Sequence, residues 1–180
     1  FESHSGSGRD IFIMDSDGSN KLNLTNNVGN NMSPNISDDG EKIVFRGEGI
    51  NSDDIFIMNS DGSGQTNLTN DNYWEDDPDF SSDGQKIVWT SRRTGNDEIF
   101  IMNSDGSGQI GLTNNLNGKS SGTPKFSPDG TTIIFGNNND IYMISSEGGE
   151  PTNLTNLGSW SGGHTFFDDG SKIVFYSDPD

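Results

Sequence analysis

Residues 54–64 read Asp54-Ile55-Phe56-Ile57-Met58-Asn59-Ser60-Asp61-Gly62-Ser63-Gly64, and Thr66-Asn67-Leu68-Thr69-Asn70 follows at once. An apolar run, a Gly-rich turn and a short polar segment make a strand, a turn and a second strand. The phrase recurs at Asp10-Ile11-Phe12-Ile13-Met14-Asp15-Ser16-Asp17-Gly18, at Glu98-Ile99-Phe100-Ile101-Met102-Asn103-Ser104-Asp105-Gly106 and, more loosely, at Asp140-Ile141-Tyr142-Met143-Ile144. The copies start 44, 44 and 42 residues apart. A fixed period of that size marks a repeat architecture, in which each unit buries its apolar faces against its neighbours.

Two further strands complete the unit. Ile36-Ser37-Asp38-Asp39-Gly40, Phe80-Ser81-Ser82-Asp83-Gly84, Phe126-Ser127-Pro128-Asp129-Gly130 and Phe167-Asp168-Asp169-Gly170 each end one strand on an Asp-Gly turn. Lys42-Ile43-Val44-Phe45, Lys86-Ile87-Val88-Trp89, Thr132-Ile133-Ile134-Phe135 and Lys172-Ile173-Val174-Phe175 follow directly. Asp-Gly between such runs predicts a hairpin, because both residues tolerate the positive φ angles of primed turns. In chain order the unit therefore has strands A (to the Asp-Gly), B (Ile-Val-Phe), C (Ile-Phe-Ile-Met) and D (Asn-Leu-Thr). B and C are apolar at every position, so both of their faces must be covered. No helical periodicity competes. Four-stranded antiparallel sheets stacked face to face make an all-β fold, a β-propeller.

The phase of the repeat divides the chain into a half blade at 1–25, blades at 26–69, 70–113 and 114–155, and a half blade at 156–180. Phe1 aligns with Phe45, Trp89, Phe135 and Phe175, so the sequence opens in mid-strand, as expected of a processed product or a piece of a longer chain. Three arrangements complete the halves: closure of a four-bladed ring, pairing with another copy in a closed dimer or a filament, or pairing with missing sequence.

Composition narrows the function. The formal net charge of −18 argues against nucleic acid or an anionic membrane surface as partner. Apolar residues are 27% and mean hydropathy is −0.73, values compatible with folding only because the apolar residues are gathered at the repeat spacing. There are no cysteines, hence no disulfide or thiolate metal site. No apolar run approaches the ~18 residues of a membrane span, and none has the make-up of a secretion signal.

Phe126-Ser127-Pro128-Asp129-Gly130, Lys86-Ile87-Val88-Trp89-Thr90-Ser91, Gly95-Asn96-Asp97-Glu98-Ile99-Phe100 and Met102-Asn103-Ser104-Asp105-Gly106 through Leu112-Thr113 resemble the WD-like repeats of TolB-type β-propellers. The resemblance covers the whole chain. It implies a propeller fold and a role among those such propellers serve: periplasmic assembly scaffold, gating domain of a serine peptidase, surface protein, or lyase. Asn or Gly stands before Leu-Thr where the family often has Arg.

The chemistry-bearing residues are few. His4 and His164 are the only histidines, no Gly-x-Ser-x-Gly elbow occurs, and a His-ligated metal would need more histidines. His164 aligns with Pro34, Pro78 and Pro124 at the head of strand A, near the channel. Asp15 and Asp17, alternating before Gly18, resemble the opening of a calcium loop, although the turn also stands alone as a hairpin device. Trp74 and Trp160 each lie five residues after the Thr of strand D, and Tyr73, Glu75, Asp76 and Asp77 surround the first. Aromatic planes beside carboxylates suit a sugar ring or a cationic peptide; the plainer reading is that each Trp caps the groove between blades. Five Asn-x-Ser/Thr sequons, at Asn23, Asn31, Asn35, Asn67 and Asn153, are candidate glycosylation sites at a number near chance for this composition. The expectation is a non-enzymatic extracellular, cell-surface or periplasmic propeller, binding a protein or glycan or serving assembly, and self-associating through its half blades. The competing reading is the substrate-gating propeller of a larger hydrolase or lyase.

Overall fold

A computed structural model describes residues 2–5, 8–26, 29–113, 121–157 and 161–178. They form strands, turns and bends, and none is helical, so no described helix could cross a membrane. Three four-stranded antiparallel sheets follow one another. The first holds β4 (Met32–Ile36), β5 (Lys42–Glu48), β6 (Asp53–Asn59) and β7 (Thr66–Asn67). The second holds β8 (Glu75–Phe80), β9 (Lys86–Ser91), β10 (Glu98–Asn103) and β11 (Ile110–Gly111). The third holds β12 (Ser121–Phe126), β13 (Thr132–Asn137), β14 (Asp140–Ser145) and β15 (Thr152–Asn153). Ahead of them stand β1 (Glu2–Ser5), β2 (Gly8–Ile13) and β3 (Leu22–Asn23), and behind them β16 (Ser161–Phe166) and β17 (Ile173–Ser177). The two end sheets are not hydrogen-bonded to each other, so the described chain is a partial propeller, not a closed four-bladed ring.

Both faces of the middle strands are sealed, as the unbroken apolar runs require. On β5, Val44 packs with Phe80, Ile87 and Trp89 of the following blade, while Ile43 and Phe45 pack with Ile11 and Leu24 of the preceding sheet. On β9, Ile87 and Trp89 face backward and Val88 faces forward, against Phe126, Ile133 and Phe135. Successive residues of a strand point to opposite faces, so one short run belongs to two cores at once.

The Asp-Gly turns differ from expectation in one respect. Only the glycine takes a positive φ (Gly40 74°, Gly84 67°, Gly130 70°, Gly170 68°). The Asp works by accepting: Asp39 Oδ1 takes the Ser37 hydroxyl at 2.6 Å and the Glu41 amide at 2.9 Å, and Asp83 and Asp129 repeat the pattern. This is a four-residue loop on a type I turn closed by a left-handed glycine, not a two-residue primed turn. The last copy also shifts by one residue: Phe166 ends its strand, and Phe167 stands where the other copies have the capping serine. Pairing of Phe166 with Ile173 sets that register, as Phe126 pairs with Ile133.

The Asn-Leu-Thr of strand D is explained by a buried carboxylate at the head of strand C. Asp54 accepts from Asn67 Nδ2 at 2.7 Å, from Thr69 Oγ1 at 3.1 Å and from the Asp71 amide at 3.3 Å. Asp10 with Asn23 and Thr25, and Asp140 with Asn153 and Thr155, repeat the arrangement. Each Thr hydroxyl in turn accepts the backbone N–H of Ile11, Ile55 or Ile141. Where Gly111 replaces the asparagine, the longer Glu98 replaces the aspartate, and Thr113 still takes the Ile99 amide at 2.9 Å. Asp54→Ala leaves three part-buried donors without their acceptor and is expected to cost about 2 kcal/mol. A shift of the urea midpoint at unchanged slope would show it; an unchanged midpoint would refute the network's role.

Candidate functional site

The inner strands β4, β8, β12 and β16 carry the polar residues of the molecule's axis. Each contains a register shift, and one residue in each shift lies at positive φ: Ser33 at 50°, Asp77 at 51°, Thr123 at 52° and Gly163 at 57°. Pro34, Pro78, Pro124 and His164 come next. Proline has no N–H to give a ladder, so it suits a bulge on an inner edge strand. Ser33 and Thr123 are axis residues that the sequence reading missed; the recurring X-Pro at the head of strand A was the available signal.

β8 concentrates four acids, and each is turned to a different partner. Glu75 is wholly buried, accepting from Trp89 Nε1, from Ser91 Oγ at 2.9 Å and from Arg93 Nη2 at 3.2 Å. Burial pushes its carboxyl up to about 7, against the pull of Arg93 and of the Trp89 and Ser91 hydrogen bonds. Asp76 joins the first and second blades, taking Arg46 Nη1 at 2.5 Å and Ser33 Oγ at 2.9 Å. Asp77 is raised to about 6 by burial and by the charge of Asp76 beside it. Asp79 spans three blades: it accepts from Asn35 Nδ2 at 2.9 Å, from Lys125 Nζ at 2.8 Å and from the Phe126 amide at 2.9 Å. Burial raises its carboxyl too, with Lys125 opposing.

Trp74 lies at the rim of the face formed by the D-to-A and B-to-C connections. Arg92 Cζ is 4.4 Å from its ring centroid and Arg46 Cζ 5.9 Å, so guanidinium groups from two adjacent blades converge on one indole. Arg92 is itself paired to Asp97. Tyr73 is exposed, and its amide is held by Asp71 Oδ1 at 2.8 Å. The structure thus brings Tyr73 and Trp74 to a common rim, while Glu75 turns into the blade interface and Asp76 and Asp77 toward the axis. A shallow groove of about 520 Å³ opens beside Trp74, lined by Asn30, Glu48, Ile50, Asn51 and Asp53. Ile50 is almost fully exposed there. On the opposite face, a groove of about 370 Å³ crosses the inner-strand ends at Asp38, Asp79, Lys125, Phe126 and Asp168.

His164 is buried at the axis, with Nε2 2.8 Å from the Thr123 carbonyl oxygen. That contact places the proton on Nε2 and leaves Nδ1 as a bare acceptor with no partner among the described residues. Burial, reinforced by Lys125, lowers its pKa and keeps it neutral. Trp160, the other candidate platform, lies outside the described residues, as does the side chain of His4. Asp15 accepts Asn20 Nδ2 at 2.6 Å, and Asp17 accepts the Ser19 amide at 2.9 Å and its hydroxyl at 2.6 Å. Among the described residues no three His, Cys, Asp or Glu side chains are grouped as metal ligands, so a cation there would rest on these two carboxylates and turn oxygens. The sequon amides are also engaged: Asn23 and Asn67 donate to the buried Asp10 and Asp54, Asn153 to the half-buried Asp140, Asn35 to Asp79, and Asn31 to the Arg9 carbonyl at 3.4 Å.

Radial four-stranded blades, bulged polar inner strands and Asp-Gly turns on one face define the β-propeller class. Within it, the family profile of the TolB beta propeller domain matches residues 3–139, and the chain belongs to that family. Among solved structures, TolB from Acinetobacter baumannii is similar, with TM-score 0.77 and 24% identity over 93% of this chain and 42% of that one. The Agrobacterium tumefaciens protein described as TolB gives 0.78 and 22% over 96% and 67%. An oligogalacturonate lyase from Vibrio parahaemolyticus gives 0.72 and 12% over 96% and 53%. At these identities the fold is what is shared, and the chain spans about two fifths to two thirds of the length of these relatives. No curated protein matches it.

Proposed function

We propose that this chain is a non-enzymatic binding and assembly module of the periplasm or the extracellular space, and that it engages a cationic segment of a partner protein. The observation that carries this reading is the groove beside Trp74. The arginines on the indole leave it poorly placed as a platform for a sugar, whereas Glu48 and Asp53 line the groove next to an exposed isoleucine. Apolar contact flanked by carboxylates suits a Lys- or Arg-bearing peptide, and the net charge of −18 would speed its approach. Family membership supports the location and the scaffold role. The competing reading is the propeller part of a larger hydrolase or lyase, and the name of one similar structure, an oligogalacturonate lyase, speaks for the lyase.

Titration calorimetry with a lysine-rich peptide, a neutral oligosaccharide and oligogalacturonate tests the choice. Binding of the peptide alone, weakened about tenfold by Glu48→Lys with Ile50→Ser, is expected. Preference for either saccharide would refute the peptide reading. Cleavage of oligogalacturonate by the chain would refute the non-enzymatic one.

A further inference from the structure

We propose that the cationic residue this chain engages is an arginine, whose guanidinium spans Glu48 and Asp53 beside the Trp74 indole. The inference rests on the reading above and names the partner's anchoring side chain. Glu48 and Asp53 are the outermost pair of the β5–β6 ladder and stand directly opposite each other. Residues so paired share a face, with Cβ atoms about 4.5–5.5 Å apart, and like charges set there repel. Nothing in the first blade relieves them. Glu48 has no hydrogen bond or ion pair among the described residues. Arg46 comes only to 3.5 Å from Asp53 and puts its hydrogen bond on Asp76 instead. Burial pushes the Asp53 carboxyl up against the pull of Arg46, and the charges of Asp76 and Glu48 add to the rise.

The second blade shows what the position takes when it is filled. Phe45 pairs with Phe56 as Trp89 pairs with Phe100, so Glu48 corresponds to Arg92 and Asp53 to Asp97. There the charges are opposite: Arg92 Nε donates to Asp97, and Arg92 Cζ lies 4.4 Å from the Trp74 ring centroid. In the third blade the equivalent residues, Asn138 and Asn139, are uncharged. The first blade keeps the aspartate and shares the indole, but it has an acid where its neighbour has the arginine. A local rule broken in one repeat and obeyed in the next is the mark of a functional position. Trp74 lines the groove together with Glu48 and Asp53. A guanidinium suits this place better than an ammonium, because its planar fork meets two carboxylates at once, stacks on an indole and is less strongly hydrated. The exposed Ile50 next to the carboxylates covers an aliphatic stem. Its connection is braced: the Gly49 amide donates to the Ser52 carbonyl at 2.8 Å, and Asn51 Nδ2 donates at 2.6 Å to Asn72 Oδ1, on the segment that carries Trp74.

Titration calorimetry with three capped peptides tests the assignment, each with one central residue (arginine, lysine or citrulline) between leucines. The arginine peptide should bind. The lysine peptide should bind about tenfold more weakly, the scale of one charge-assisted hydrogen bond, and the uncharged citrulline peptide more weakly still. Glu48→Arg writes the second-blade pair into the first blade, so it should abolish binding of the arginine peptide and raise the melting temperature by relieving the repulsion at Asp53. Glu41→Arg makes the same charge change on an exposed residue of the opposite face and should leave the affinity within about twofold. Equal affinities for the arginine and lysine peptides would overturn the arginine assignment while the cationic-partner reading stands. An arginine peptide that binds the Glu48→Arg variant undiminished would overturn the placement at this pair. Failure of both cationic peptides to bind the unmodified chain would refute the partner reading itself.

Discussion

Trp89→Ala is expected to leave the chain largely unfolded under conditions where the unmodified chain is native. Trp89 has no exposure and sits between the first and second whole blades, against Val44, Ile87 and Phe100. Emptying a fully buried Trp site costs about 3–5 kcal/mol, a large part of the ~5–15 kcal/mol that holds a domain together. A second cost is specific to this blade, because the indole N–H is a donor to the buried Glu75. Trp89→Phe separates the two: it installs the residue found at Phe45 and Phe135, keeps most of the packing, and should still cost about 1–3 kcal/mol through the lost hydrogen bond. Adding Glu75→Ser recreates the Phe135 and Ser121 combination of the third blade and should recover part of that loss. Far-UV circular dichroism through a urea titration would report all three. Additive losses in the double variant would mean that Trp89 and Glu75 are not coupled.

The second large effect is on pH. Glu75 and Asp77 have folded-state pKa values of about 7 and about 6, above their ordinary 4.5 and 3.8. Each binds its proton more tightly when folded, so the stabilisation is complete below the ordinary value and is lost as pH rises through the raised one. For Glu75 the stake is about 3 kcal/mol, most of it between pH 5 and 8. The turn aspartates behave oppositely: hydrogen bonds from Ser37, Ser81 and Ser127 hold Asp39, Asp83 and Asp129 below the usual carboxylate range. Their contribution is present above about pH 4 and is lost as the pH falls through the lowered values. The melting temperature is therefore expected to peak near pH 5 and to fall on both sides. Glu75→Gln with Asp77→Asn should flatten the limb between pH 5 and 8 at constant ionic strength. A melting temperature already flat over that range in the unmodified chain would refute the assignment.

How far the site could be read in advance depended on the range of the interactions that make it. Asp54, Asn67 and Thr69 act within one hairpin, so their recurrence at fixed offsets exposed the unit even before their hydrogen bonds were known. Tyr73, Trp74, Glu75, Asp76 and Asp77 are adjacent in sequence, and adjacency suggested one binding surface. Strand alternation and the bulge at Asp77 send them different ways: Trp74 to the rim beneath arginines from two blades, Glu75 into the interface, Asp76 to Arg46 of the neighbouring blade. Nothing local to residues 73–77 encodes the positions of Arg46 or Arg92 relative to them. Phe167 was misplaced for a related reason, since the doubled Phe166-Phe167 offered two registers and only pairing across to Ile173 chose between them.

By itself, the sequence determined the blade. A period of about 44 residues, apolar runs too continuous for a one-sided sheet and Asp-Gly turns at constant phase leave a radial stack of four-stranded sheets as the arrangement that buries those runs on both sides. Only the tertiary structure decided which polar residues spend their charge on neighbouring blades, which stay at a rim, and that the two end sheets stand unjoined within one chain. Those outcomes depend on desolvation and on distances between residues 30 to 46 positions apart, and periodicity along a strand carries neither.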